Sequence, residues 1–117
     1  MKLTDERCRA LTGYLGECHH EGRMPINCGY RCVKCGDTYV ANHTFTSDAD
    51  MMALFRKMVD EGEWYLFENS ILVHDKYQTT RNKRLSQKYP DGYFNAWLFY
   101  DPERFCNLVA EWLEVKK

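Results

Sequence analysis

Cys18, His19, His20, Cys28, Cys32 and Cys35 place six soft metal ligands within eighteen residues. Cys32-Val33-Lys34-Cys35, followed by Gly36, has the spacing of a zinc knuckle. Two cysteines separated by two residues can both aim sulfur at one ion, because the backbone folds back over the metal. Gly36 supplies the permissive backbone that such a turn needs. Cys18 and His20 lie upstream and complete a C-x-H…C-x-x-C set, which reads as one tetrahedral, structural Zn2+ site.

A catalytic zinc usually keeps an open position for water and a carboxylate close by as base. Here four protein ligands are available locally, so the ion is expected to be closed off. Glu17 and Glu21 then serve as solvated neighbours or hold a histidine tautomer. The other two cysteines, Cys8 and Cys106, sit far away in helix-like stretches. Three disulfides are the competing account of six cysteines, but nothing in the chain directs secretion. Metal is the better reading, and chelation is expected to melt residues 17–41. His43 reads as a loop residue and His74-Asp75 as a strand end, where neighbours point to opposite faces. No nucleophile elbow, phosphate-binding glycine loop or paired-carboxylate pattern appears, so catalytic residues and enzyme activity are not expected.

One local charge feature stands out. Lys76, Arg81, Lys83, Arg84 and Lys88 fall in a stretch of thirteen residues that holds no acid. Tyr77, Tyr89 and Tyr93 border it. Cations neutralise phosphates and tyrosine rings stack on bases, so the stretch is a candidate contact for nucleic acid or for an acidic protein surface. The plain alternative is a solvated loop, although fifteen residues is long for a loop in a compact domain.

The bulk of the chain suits one domain, 1–117, with a zinc-ribbon subregion at 17–41 and an α/β sandwich subregion at 42–117. Its 117 residues are 44% hydrophobic, 15% aromatic and 28% charged, which is a globular composition. Sixteen basic and seventeen acidic residues leave a net charge of -1, so no whole-protein field attracts nucleic acid or membrane. Residues 1–9 lack the apolar stretch of a signal peptide, and no apolar run is long enough to span a bilayer. A cytoplasmic location without a membrane partner is expected.

Local signals divide the chain as follows. Thr4 or Asp5 caps a first helix carrying Cys8, Leu11 and Leu15, which Gly13 and Gly16 help to end. Residues 30–33 and 37–41 read as two short strands flanking the knuckle. Ser47 and Asp50 open a helix over 48–61 that Gly62 stops, with Met51, Leu54, Phe55, Met58 and Val59 on its apolar face. Residues 64–67 continue that helix or begin a strand. Residues 71–77 and 93–100, rich in β-branched and aromatic side chains, read as strands. Residues 78–92 read as a polar loop. Asp101-Pro102 opens a last helix with Phe105, Leu108, Val109, Trp112 and Leu113 in its stripe. The expected class is α+β: helix and zinc ribbon, then a helix–small antiparallel sheet–helix sandwich.

Four motifs, in order, resemble small zinc-knuckle proteins of bacteriophages and prophages, related to the phage ABA sandwich domain family. They are Leu15-Gly16-Glu17-Cys18-His19-His20-Glu21, Arg31-Cys32-Val33-Lys34-Cys35-Gly36, Asn42-His43-Thr44-Phe45-Thr46 and Asp101-Pro102-Glu103-Arg104-Phe105. The resemblance covers the chain from about Leu15 onward, and it carries the ligands over as Cys18, His20, Cys32 and Cys35. The chain departs from the pattern at His19, at His43-Thr44 and at the additional Cys28. His19 and Cys28 therefore stand as alternates for the fourth ligand. The resemblance implies an α/β sandwich and a host bacterial cytoplasm. The expected function is a small zinc-stabilised phage- or prophage-type binding protein that works through protein–protein contacts, with modulation of a host or defence component as one version. A nucleic-acid-binding accessory protein using residues 76–88 is the alternative, and a zinc enzyme is the weakest reading.

Overall fold

The computed structural model describes residues 3–17, 24–26, 29–31, 34–35, 38–39 and 44–116. Its first helix, α1 (Asp5–Tyr14), begins where the Thr4 hydroxyl accepts a hydrogen bond from the Arg7 amide, with Asp5 and Glu6 in the first turn. It ends at Gly16, whose φ is 78°. There the Glu17 amide reaches back to the Thr12 carbonyl and the Gly16 amide to the Gly13 carbonyl, a Schellman closure that needs a residue tolerant of positive φ. The next helix, α2 (Asp48–Asp60), repeats the device. Ser47 accepts from the Asp50 amide at one end, and Gly62, at φ 69°, closes the other.

Between these helices lie three short antiparallel strands, β1 (Met24–Ile26), β2 (Gly29–Arg31) and β3 (Thr38–Tyr39). Tyr30 of β2 stands opposite Pro25 of β1 and Tyr39 of β3, so β2 is the middle strand. Among the described residues the strands pack on one another, and no strand packs broadly on a helix.

Everything from residue 48 onward that is regular is helical: α3 (Trp64–Leu72), α4 (Asp75–Thr79), α5 (Lys83–Lys88), α6 (Tyr93–Tyr100) and α7 (Pro102–Lys116) follow α2. This overturns the α+β expectation. The fold is helical, and no sheet is sandwiched between helices among the described residues of 44–116. The implied α/β sandwich fails with it.

Periodicity explains the correction. In 64–72 the buried positions are Phe67 and Ile71, with Trp64 packed against the core, a spacing of three and four. In 93–100 the fully buried pair is Trp97 and Leu98, with Tyr93 and Phe94 one turn earlier. Both patterns belong to a helix; a strand would have buried every second residue. The expected strand 71–77 instead contains the end of α3, a turn at Val73 and the start of α4. The expected loop 78–92 contains α5, whose first turn is capped where the Asn82 side chain accepts from the Leu85 amide at 3.1 Å.

Helix α7 is the centre of the body and contacts α1, α2, α3 and α6. Six consecutive residues, Phe105, Cys106, Asn107, Leu108, Val109 and Ala110, are buried. Around Phe105 an aromatic cluster joins four helices: Phe67 at 5.8 Å, Phe99 at 5.3 Å and Trp64 at 6.2 Å between ring centroids, with Phe55 edge-on to Trp64 at 4.7 Å. Most of the aromatic excess is therefore core. No described helix is long and apolar enough to cross a membrane.

Removing the Phe67 ring, which also meets Trp112 at 5.8 Å, should cost about 3–5 kcal/mol. Tyr100→Ala, at an exposed position, should stay within about 0.5 kcal/mol. Urea unfolding followed by circular dichroism of Phe67→Ala and Tyr100→Ala checks both figures.

Candidate functional site

Helices α4 and α5 and the connection between them carry the predicted basic residues. Lys76 is on α4, Arg81 in the connection, and Lys83, Arg84 and Lys88 on α5; all five are exposed. Among the described residues, none of the five lies within ion-pair distance of a carboxylate. Asp75 and Asp91 bracket the stretch in sequence. The arrangement is a positive surface on two short helices, where a mobile loop was expected.

Internal contacts position this surface. The His74 ring caps α4: its Nδ1 accepts from the Lys76 amide at 3.0 Å, so the ring proton sits on Nε2 and is donated to Glu111 at 3.0 Å. That bond ties the start of α4 to α7 and gives His74 a structural role. The Trp97 indole donates to the Thr80 carbonyl at 2.9 Å, and the Tyr93 hydroxyl accepts from the Asn82 amide at 2.9 Å. Tyr77 lies edge-on to Trp97 at 5.0 Å and to Phe94 at 5.2 Å. The Arg81 guanidinium stands 5.3 Å over the Tyr93 ring and donates to Ser86 at 3.0 Å. Two of the three bordering tyrosines are thus committed to packing. Tyr89 remains exposed, with the Lys88 ammonium 5.5 Å over its ring.

A sixth cation escaped the sequence reading. The Arg104 guanidinium lies 3.8 Å over the Trp97 ring and donates from Nη2 to the Trp97 carbonyl. Burial lowers its pKa from the usual value, with Asp101 and the tyrosines Tyr93 and Tyr100 opposing. It pins α6 to α7 beneath the basic surface and is itself no part of that surface. Arginine spaced seven residues after a tryptophan, across an Asp-Pro helix start, was the available signal.

The metal ligands are placed less completely. Cys35 is described, exposed in the turn between β2 and β3. Cys18, His20 and Cys32, the alternates His19 and Cys28, and His43 lie outside the described residues. Among the described residues no cluster of three metal-ligating side chains occurs.

Cys8 and Cys106 are buried between α1 and α7. Burial first, then the nearby carboxylates, pushes the Cys106 thiol up to about 12. The Cys8 thiol is raised for the same reasons. Neither is a nucleophile at neutral pH. Above the ordinary thiol value of 9.0 the unfolded chain releases these protons while the folded chain holds them. The Cys106 contribution to stability is therefore whole below pH 9.0 and is lost as pH climbs toward about 12. Unfolding midpoints at pH 8 to 11 should fall over this range and fall less in Cys106→Ala; equal slopes in the two proteins would discredit the assignment.

No protein-family model, curated protein or solved structure matches this chain, so its functional reading rests on its own residues.

Proposed function

We propose that this chain is a binding protein working through protein–protein contacts, with the α4–α5 surface docking on an acidic partner. One observation carries the reading: five exposed cations in thirteen residues, with no acid among them and no carboxylate within ion-pair reach among the described residues. Like charges held together raise one another's free energy, and an acidic surface relieves that repulsion. Single exposed pairs contribute only about 0.2–1 kcal/mol, so affinity has to come from several pairs formed together. The larger effect of such a patch is on association rate and orientation.

An acidic protein surface is favoured over nucleic acid because the half-buried rings of Tyr77 and Tyr93 are engaged by Trp97, Phe94 and Arg81. A base-stacking platform needs such rings facing outward. Replacing Arg81, Lys83 and Arg84 together by alanine should leave the helical spectrum unchanged. It should also abolish recovery of a stoichiometric acidic protein in a low-salt pull-down. Raising the salt should weaken the wild-type complex. If the wild type instead binds DNA or RNA fragments near physiological salt, with log affinity falling linearly in log salt, the nucleic-acid alternative takes its place.

The same reading includes one structural zinc held by Cys35 with Cys18, Cys32 and His20, or with His19 or Cys28 in the fourth place. The Cys32-x-x-Cys35 spacing supports it, with Cys35 exposed in the turn between β2 and β3. Zinc bound in small fingers contributes about 10–16 kcal/mol. Purified protein should carry one zinc per chain. Chelation should erase amide protection at 24–39 while the helical signal at 222 nm survives. Metal-free protein with its cysteines oxidised in pairs would refute the zinc.

A further inference from the structure

We infer that His74 is an acid-released latch on α4: a second proton on its ring uncaps that helix and opens its first turn. Both ring nitrogens are engaged. Nδ1 accepts from the Lys76 amide at 3.0 Å, and Nε2 meets the Glu111 carboxylate at 3.0 Å. A carboxylate only accepts, so Nε2 carries the proton and Nδ1 offers its lone pair. A second proton has to sit on Nδ1, where it would face the Lys76 N–H, donor against donor. Histidine is the side chain whose charge ordinarily changes between about pH 5 and 8, so mild acid brings on this conflict.

The two partners pull in opposite directions. The cap requires the neutral ring, and an imidazolium there would set positive charge against the positive end of a helix. Glu111 favours the charged ring, because its bond to Nε2–H becomes an ion pair. One contact survives protonation and the other does not. The ring therefore stays on α7 while α4 loses its cap. The charged neighbours on α4 itself are Asp75 and Lys76, both exposed and both in the turn that opens. A cavity of about 100 Å³ beside the ring leaves it room to turn. Among the described residues its other walls are Ser70 and Ile71 of α3 and Leu108, Trp112 and Val115 of α7, none of them charged.

Little else holds the start of α4. None of its five residues is buried, and a helix of that length is not stable by itself. Its later part is anchored: Tyr77 packs on Trp97 and Phe94, and the Thr80 carbonyl accepts from the Trp97 indole. Opening is thus confined to Asp75 and Lys76. Lys76 is one of the five cations of the basic surface, so acid rearranges one edge of it. The latch itself does not depend on that surface having an acidic partner.

NMR of the full chain, titrated from about pH 8 to about pH 5, tests the latch. The Cα shifts of Asp75 and Lys76 should move from helical toward unstructured values with the midpoint of the His74 ring nitrogens, while Leu98 in α6 stays put. In His74→Asn, whose carboxamide caps without titrating, the shifts of Asp75 and Lys76 should stay helical throughout. That variant also separates His74 from His19, His20 and His43, which precede α2 in sequence. Glu111→Gln keeps an acceptor for Nε2–H but removes the counter-charge, so the transition should move to lower pH. Helical shifts at Asp75 and Lys76 that persist once the ring is charged overturn the latch. A response that survives in His74→Asn does the same, and a transition unmoved in Glu111→Gln rejects the part assigned to Glu111.

Discussion

The structure depends on burying the middle of α7 from every direction at once. Six successive buried residues cannot be covered by one neighbour, since they point around more than one full turn of the helix. Four helices are recruited: α1, α2, α3 and α6 each cover part of the circumference. The one polar side chain in the run, Asn107, explains how α1 is oriented. Its carbonyl oxygen accepts from Arg7 at 3.1 Å and its amide donates to the Glu103 carbonyl at 3.2 Å. The same arginine grips Glu114 through Nε and Nη2 at 3.0 and 3.3 Å. A buried amide of this kind costs free energy unless satisfied, so it selects the one docking of α1 that satisfies it. Glu63 performs the matching task at the far end, accepting from Tyr14 at 2.8 Å and pairing with Lys116.

What was legible beforehand was local. Thr4, Ser47, Asp101, Gly16 and Gly62 mark helix ends through bonds that span three to five residues, and such bonds do not depend on what packs above them. The misreadings share one cause. Residues 71–77 and 93–100 are rich in aromatic and β-branched side chains, and composition was weighed above spacing. Phe94, Trp97 and Leu98 repeat at three and four, a period that a central helix rewards and a sheet cannot use. Strand preference is itself mostly a record of packing on a pleated surface, and this chain offers those rings a helix instead. The polar run 78–92 concealed α5 for the opposite reason. Its helix is fixed by one Asn82 cap, by the Arg81–Ser86 bond and by aromatic residues that lie before and after it in sequence. The clustering of the basic residues was legible all the same, because it lies in the sequence itself and survives any change of secondary structure. Of the metal ligands read from spacing, Cys35 alone lies among the described residues.

Phe45 shows how the chain enters the helical body after the ligand segment. It is fully buried and adopts φ 58°, a left-handed backbone that costs a bulky residue on the order of 1–3 kcal/mol. Its amide donates to the Asp50 carboxylate at 3.2 Å, and the neighbouring Thr44 carbonyl lies 3.8 Å from the Cys8 sulfur. The ring is thus driven into the core beside α1 and α2 at the expense of a strained turn. Burying a phenylalanine side chain contributes about 1.5–3 kcal/mol, enough to offset that strain.

This division of labour accounts for the molecule's shape. Its radius of gyration, 16.4 Å, exceeds the roughly 13 Å of a compact chain of this length, and its longest extent is 51 Å. Among the described residues the short strands pack on one another and not broadly on the helices. The outer side of α3 poses the converse problem. Tyr65, Leu66 and Leu72 on it and Val73 just after it lie outside the core cluster, whereas polar residues at those positions would improve solubility. Apolar residues outside the core, and cations with no carboxylate in ion-pair reach among the described residues, are costs to the isolated chain. Contact with another molecule would lower both, one by removing hydrocarbon from water and the other by neutralising charge.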